Sequence, residues 1–334
     1  MSRLPRRPAW ALASALIGSL ALAACGDSGS GSGSTGTAGG GGGDRTYQIG
    51  ISQIIAHPSL DEAREGFKKA LADGGLKAEF EEQNAQGEQA TLTSIANKFR
   101  GKDLVLAIAT PTAQATAQAI TDKPVLFTAV TDPVEAKLVK SNEAPGANVT
   151  GTTDMNPVDR QLSLIKDIKP DARTVGIIYS SAEVNSAVQV RMAEEAASSL
   201  GLTIEKKAIT NTGEVAQAAQ SLSVDAIYVP TDNTVVSAIE SVLSAAQSKH
   251  LPVVVGEGDS VRKGGMATYG INYFNLGEQT GRMAIKILKD GAQPATMPVE
   301  RQSEFKLIVN SASAAKAGVT LPEALVGRAD EVIK

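Results

Sequence analysis

The sequence predicts an α/β protein of two doubly wound, parallel-sheet lobes, and three observations carry that expectation. From residue 47 onward, short apolar runs alternate with longer amphipathic stretches, the pattern of strands joined by covering helices. The alternation occurs as two series, one on each side of residues 149–155. The roughly 290 residues that follow a Gly/Ser-rich segment are also more than one hydrophobic core usually organises.

The chain opens with Arg3, Arg6 and Arg7, an uncharged run over residues 9–24, and then Cys25. This is the layout of an export signal, too short and too Ala-rich for a comfortable membrane span. Leu22-Ala23-Ala24-Cys25 resembles the bacterial lipobox, which implies removal of residues 1–24 and acylation of Cys25, anchoring the protein to a membrane. Cys25 is the one cysteine of the chain, so no intramolecular disulfide forms and no other thiol is available for metal or redox work. Residues 25–43 are then a tether, almost entirely Gly and Ser after the Cys, with a random-coil reach on the order of 25 Å. Without the three signal arginines, 29 basic residues face 36 acidic ones, a net charge near −7. That balance argues against a nucleic-acid partner, which needs a basic footprint.

In the folded part the strand-like runs are 47–53, 77–81, 104–109, 125–129, 174–179, 202–209, 226–230 and 251–255. Helical spacing of apolar residues marks 58–72, 88–99, 159–168, 185–200, 234–249 and 276–288. Open parallel sheets bind ligands beyond the carboxyl ends of their strands, so two facing lobes would hold a ligand in the cleft between them. The turns at those ends, 52–58, 110–112, 130–134, 180–185, 231–233 and 256–259, are mostly polar and rich in capping residues. Thr110-Pro111-Thr112 sets a hydroxyl before a proline at a helix start, leaving the N–H groups of Thr112 and Ala113 free for an anion, unless Thr110 simply caps its own helix.

At these turns the chain resembles one family, the tryptophan/tyrosine-type substrate-binding proteins of ABC importers. The resemblance rests on Ser52-Gln53 with His57-Pro58 and Leu60-Asp61, on Ala109-Thr110-Pro111-Thr112-Ala113-Gln114, and on Val130-Thr131-Asp132-Pro133-Val134-Glu135-Ala136. It continues through 179–185, Pro230-Thr231-Asp232-Asn233-Thr234 and 269–288. It implies the type I periplasmic-binding fold, in which three crossovers form the hinge, expected here near 149–155, 269–273 and 304–310. One lobe would then comprise 44–152 with 274–303, and the other 153–273 with 304–334. It also implies an amino-acid-like, usually aromatic ligand, delivered to the permease subunits of an ABC importer without chemistry on it. A monomer is the default.

An amino acid presents a carboxylate, an ammonium and a side chain. The helix start at Thr110, Thr112 and Ala113 is the expected carboxylate site, since no arginine occupies a strand-end turn of the first lobe. Asp232 is the first candidate for the ammonium and Asp132 the second, although both also fit ordinary helix caps or turns. Asn185 and Asn233 are either ligand contacts or caps. His57, Phe127, Tyr179 and Tyr228 are the aromatics nearest the side-chain half, the last three equally readable as core, and Gln53, Ser181 and Glu257 complete the candidates.

Enzymes of the doubly wound class fit poorly. Ser52-Gln53-Ile54-Ile55-Ala56-His57-Pro58 lacks the glycines of a dinucleotide loop, and no Gly-x-Ser-x-Gly elbow follows a strand. With two histidines, His57 and His250, in unrelated positions, no metal or other cofactor is expected. Gly256-Glu257-Gly258-Asp259 lacks the Gly-Lys-Ser/Thr of a phosphate loop and the oxygen spacing of a calcium loop. A lipid-anchored sensor of the same fold, and a binding protein for a solute other than an amino acid, are the alternatives.

Overall fold

Two sheets, each flanked by helices, organise residues 45–334, the part of the chain that the computed structural model describes. The expected export signal, Cys25 lipid anchor and tether lie outside the described residues.

The first sheet is built from β1 (Tyr47–Gln53), β2 (Ala78–Asn84), β3 (Leu104–Ile108), β4 (Val125–Val130) and β5 (Val149–Thr153). They alternate with α1 (Pro58–Asp73), α2 (Gln89–Lys98) and α3 (Thr110–Ala119). β1, β3, β4 and β5 are buried on both faces or nearly so, which is why β3 and β4 read as continuous apolar runs, whereas the edge strand β2 is half exposed.

The second series begins with α4 (Val158–Ile168), β6 (Thr174–Ser180), α5 (Val184–Ser199), β7 (Thr203–Ile209) and α6 (Val215–Ser221). It continues with β8 (Ala226–Val229), α7 (Asn233–Ser237), α8 (Ile239–Ser248), β9 (Val253–Val255), α9 (Gly258–Lys263) and β10 (Ala267–Gly270). The chain then returns through α10 (Tyr273–Asp290) and β11 (Glu300–Arg301) to the first sheet. It ends in the second sheet with β12 (Lys306–Asn310), α11 (Ser311–Lys316), α12 (Glu323–Gly327) and β13 (Glu331–Ile333).

The strand orders are β11-β5-β4-β3-β1-β2 and β13-β12-β10-β9-β8-β6-β7. Every pair in the first sheet is parallel. In the second, β12 runs antiparallel to β10, a departure from a purely parallel lobe with a topological cause. β10 runs toward the passage into the first sheet, and β12 enters from that same end, so it must run the other way.

Among the described residues the chain passes between the sheets at 154–157, 271–272 and 302–305. Residues 149–153, read from sequence as part of a passage, form the buried strand β5. The expected helix over 234–249 is two helices, because Ala238 leaves helical geometry (φ −112°, ψ 24°), with Val236 before the break and Ile239 after it both buried.

α10 ties its return passage to the first sheet by packing on α1 almost backbone to backbone. A Cβ on Gly277 would lie 1.9 Å from the Ala63 carbonyl oxygen, and one on Gly66 would lie 2.0 Å from that of Phe274. Only glycine fits at either position.

Candidate ligand-binding cleft

The carboxyl ends of the two sheets face each other, and the backbone is strained on the first-sheet side. Ala109, after β3, and Ala129, in β4, have φ values of 78° and 56°, a region that costs an L-residue energy and that persists where surrounding structure enforces it. At Ala129 the register of β4 against β5 also shifts. α3, which starts directly after Ala109, faces α5 of the second lobe.

Between the lobes lies a small cavity. His57, Leu60, Ala129 and Thr131 line it from the first lobe, Asp154 from the passage after β5 and Tyr273 from the start of α10. The second lobe contributes Asn185, Thr231, Asp232, Asn233, Val236 and Glu257. Three of the lining side chains are buried carboxylates and none is a lysine or arginine. Burial without a cation is costly for a carboxylate, and it pushes Asp154, Asp232 and Glu257 above the usual range.

The three acids differ in what they already hold. Asp232 accepts from the Ser180 N–H at 2.5 Å, the Ser186 hydroxyl at 2.7 Å and the Val235 N–H at 2.8 Å, the last as N-cap of α7. Glu257 caps α9 through the N–H groups of Asp259 and Ser260 and accepts from the hydroxyls of Ser59 and Ser260. Asp154 accepts two side-chain hydroxyls, Tyr273 at 2.8 Å and Thr131 at 3.2 Å. It keeps the most unused acceptor capacity of the three, since a carboxylate offers about four lone-pair sites.

Direct contacts close the lobes on each other. The Ser59 hydroxyl on α1 reaches Glu257 (2.7 Å) and Asp259 (2.9 Å) across the cleft. His57 Nε2 meets Asn233 Oδ1 at 3.5 Å. His57 is buried, which lowers its pKa to about 4 and leaves the ring neutral.

Of the residues expected from sequence, His57, Asn185, Asp232, Asn233 and Glu257 line this cavity, while Gln53, Thr110, Thr112, Ala113, Asp132 and Ser181 do not. Asp132 borders a separate recess with Pro133 and Arg301, and its Oδ1 accepts the N–H groups of Val134 and Glu135, the turn role weighed above. The Ser181 hydroxyl instead donates to the Ile209 carbonyl. Gln53 braces the turn after β1, donating to the Ile55 carbonyl and to Asp61.

The Ala113 N–H is not free, as expected from sequence, but donates to the Ala109 carbonyl, because the helix starts one residue earlier than the proline suggested. Thr110 correspondingly does not cap α3. The hydroxyls of Thr110, Thr112 and, at the end of β1, Ser52 are buried and make no hydrogen bond. Between Thr110 and Thr112, Pro111 lines a second space between the lobes together with Ile54, Ile55, Glu183 and Thr234. Neither asparagine is a cap, since Asp232 caps α7 and no side chain caps α5. Phe127 and Tyr228 are fully buried core, Tyr228 donating to Gln161 at 2.6 Å, and Tyr179 packs against the second-lobe core.

Sequence reasoning missed Asp154, Thr131 and Tyr273. Asp154 lies where the chain passes between sheets and Tyr273 opens α10 just after the next passage, neither in a strand-to-helix turn within a lobe, and the visible signal was an acid directly after the Thr-rich run Val149-Thr150-Gly151-Thr152-Thr153.

Residues 48–333 match the model of the family described as ABC transporter substrate binding protein. The chain belongs to that family. As a substrate-binding protein it is similar to a tyrosine-binding protein of Clostridioides difficile (strain R20291), with 44% identity over 270 residues and 78% of each chain covered. It is also similar to the ABC domain from Streptococcus pneumonia solved in complex with L-Trp, at 39% identity, with 86% of this chain and 100% of the other covered and a TM-score of 0.83. A third relative is a substrate-binding protein with adhesive properties from Clostridium difficile, solved ligand-free and open, at 43% identity, with 86% of this chain and 99% of the other covered and a TM-score of 0.65. The open relative is closer in sequence than the complex but further in shape, so the substrate-binding protein described here has its lobes arranged as in the complex.

Proposed function

We propose that the protein captures an amino acid with an aromatic side chain between its lobes and delivers it to the permease of an ABC importer from the outer face of the cell membrane. The observation that carries this reading is the cavity of three buried carboxylates with no basic side chain, which calls for a cationic ligand group. Asp154, with Thr131 and Tyr273 beside it, takes the ammonium. The free hydroxyls of Ser52, Thr110 and Thr112, with the first N–H groups of α3, suit the carboxylate. Relatives named for tyrosine and solved with L-Trp support the aromatic assignment.

A ligand touching both lobes binds the closed form better than the open one, and that difference drives the hinge. The hinge divides the chain into 44–152 with 274–303 and 153–273 with 304–334. No chemistry is performed on the ligand, Cys25 carries the lipid anchor, and among the described residues no helix is long and apolar enough to cross a membrane.

The test is a thermal-shift series on protein unfolded and refolded to remove carried-over ligand. L-Tyrosine or L-tryptophan should raise the melting temperature, whereas tyramine and tryptamine, which lack the carboxylate, should raise it less. Stabilisation by a sugar in place of these amino acids would overturn the ligand class.

A further inference from the structure

The second-lobe wall of the cavity has a hydrogen-bond polarity fixed by one buried residue, Glu183. Its Oε2 accepts the side-chain amides of Asn185 (3.0 Å) and Asn233 and also the Asn233 N–H (3.2 Å), while its Oε1 accepts the N–H and hydroxyl of Thr234 (3.0 and 2.7 Å). A carboxylate at this position holds only the NH2 face of each asparagine, so neither amide can turn. Asn185 is pinned further, since its Nδ2 also reaches the Thr231 carbonyl at 3.1 Å.

Two acceptors result. Asn185 Oδ1 is buried and makes no hydrogen bond. Asn233 Oδ1 faces His57 Nε2, so that nitrogen carries the ring proton, and Nδ1 is a bare acceptor, also buried and without a partner. Both residues line the cavity.

We propose that these acceptors, Asn185 Oδ1 and His57 Nδ1, select ligands whose side chain carries a hydrogen-bond donor, an indole N–H or a phenol O–H, over the same ring without one. The inference rests on the amino-acid reading above. A phenyl ring brings no donor and would strand both buried acceptors. Sites built to bond a ligand O–H or N–H reject the analogue lacking it far more strongly than apolar pockets reject a missing methylene.

The test is calorimetric titration of the ligand-stripped protein with L-tyrosine, L-tryptophan, L-phenylalanine and 1-methyl-L-tryptophan. The tighter of the first two should have a Kd at least tenfold lower than that of L-phenylalanine, and N-methylation should weaken L-tryptophan by a similar factor. Asn185→Leu should shrink the ratio to phenylalanine, and an unchanged ratio in that variant would remove Asn185 from the mechanism. Phenylalanine binding within threefold of the best ligand in the unmodified protein would overturn the inference and leave the amino-acid reading standing. Silence from all four compounds would overturn both.

Discussion

Asp154 and Asp232 face the same cavity with different duties, and their substitutions separate those duties. Asp232 stitches the ends of β6, α5 and α7 together through three donors, so Asp232→Ala should cost about 1–3 kcal/mol of stability, read as a lower melting temperature without ligand. Asp154→Asn keeps an acceptor for one of Tyr273 and Thr131, which donate to different carboxylate oxygens, and loses the charge. It should weaken ligand binding at least tenfold, about 1.4 kcal/mol or more, with a smaller change in the ligand-free melting temperature. His57 adds a pH dependence. Its pKa is about 4 in the closed protein against 6.5 when exposed, so the closed state holds fewer protons. Its contribution is fully present above pH 6.5 and is lost as pH falls toward 4, up to about 3 kcal/mol. The raised carboxylates act in the opposite sense, so the check is a difference: His57→Gln should lose less stability than the unmodified protein between pH 6.5 and 4.5.

At the residue scale the sequence identified positions better than roles. Asp232 and Asn185 were legible because strand-to-helix turns are where such folds place ligands. What was hidden is that Asp232 spends its oxygens on its own lobe, whereas Asp154, in a passage that read only as hinge, keeps capacity to spare. That distinction depends on contacts between residues far apart in the chain.

Among the elements, the α1–α10 pair is the most constrained contact. Gly277→Val would drive its side chain into the Ala63 carbonyl, and should destabilise the fold by about 1–3 kcal/mol or more, seen as a lower denaturation midpoint at unchanged m-value. The central strands were readable because two-sided burial writes them as apolar runs, as in Leu104–Ile108 and Val125–Val130. The C-terminal strands were not. β11 has two residues and β13 has three, too few to show a period, and the antiparallel direction of β12 follows from where the chain re-enters the sheet, which local sequence does not encode.

On the scale of the whole molecule, two series of alternating strands and helices specify two lobes, and the cleft follows from both sheets ending toward the passages between them. The account makes that cleft a ligand-operated hinge, closed by Ser59 on Glu257 and Asp259 and by His57 on Asn233, and held by an amino acid that neutralises the acidic cavity. The most direct test is small-angle X-ray scattering on ligand-stripped protein with and without saturating L-tyrosine or L-tryptophan. A smaller radius of gyration with saturating ligand is expected in the unmodified protein and, at a ligand concentration near the Kd of the unmodified protein, a reduced compaction in Asp154→Asn. Bound ligand with no change in the radius of gyration of the unmodified protein, or equal compaction in the variant at that lower concentration, would contradict the account.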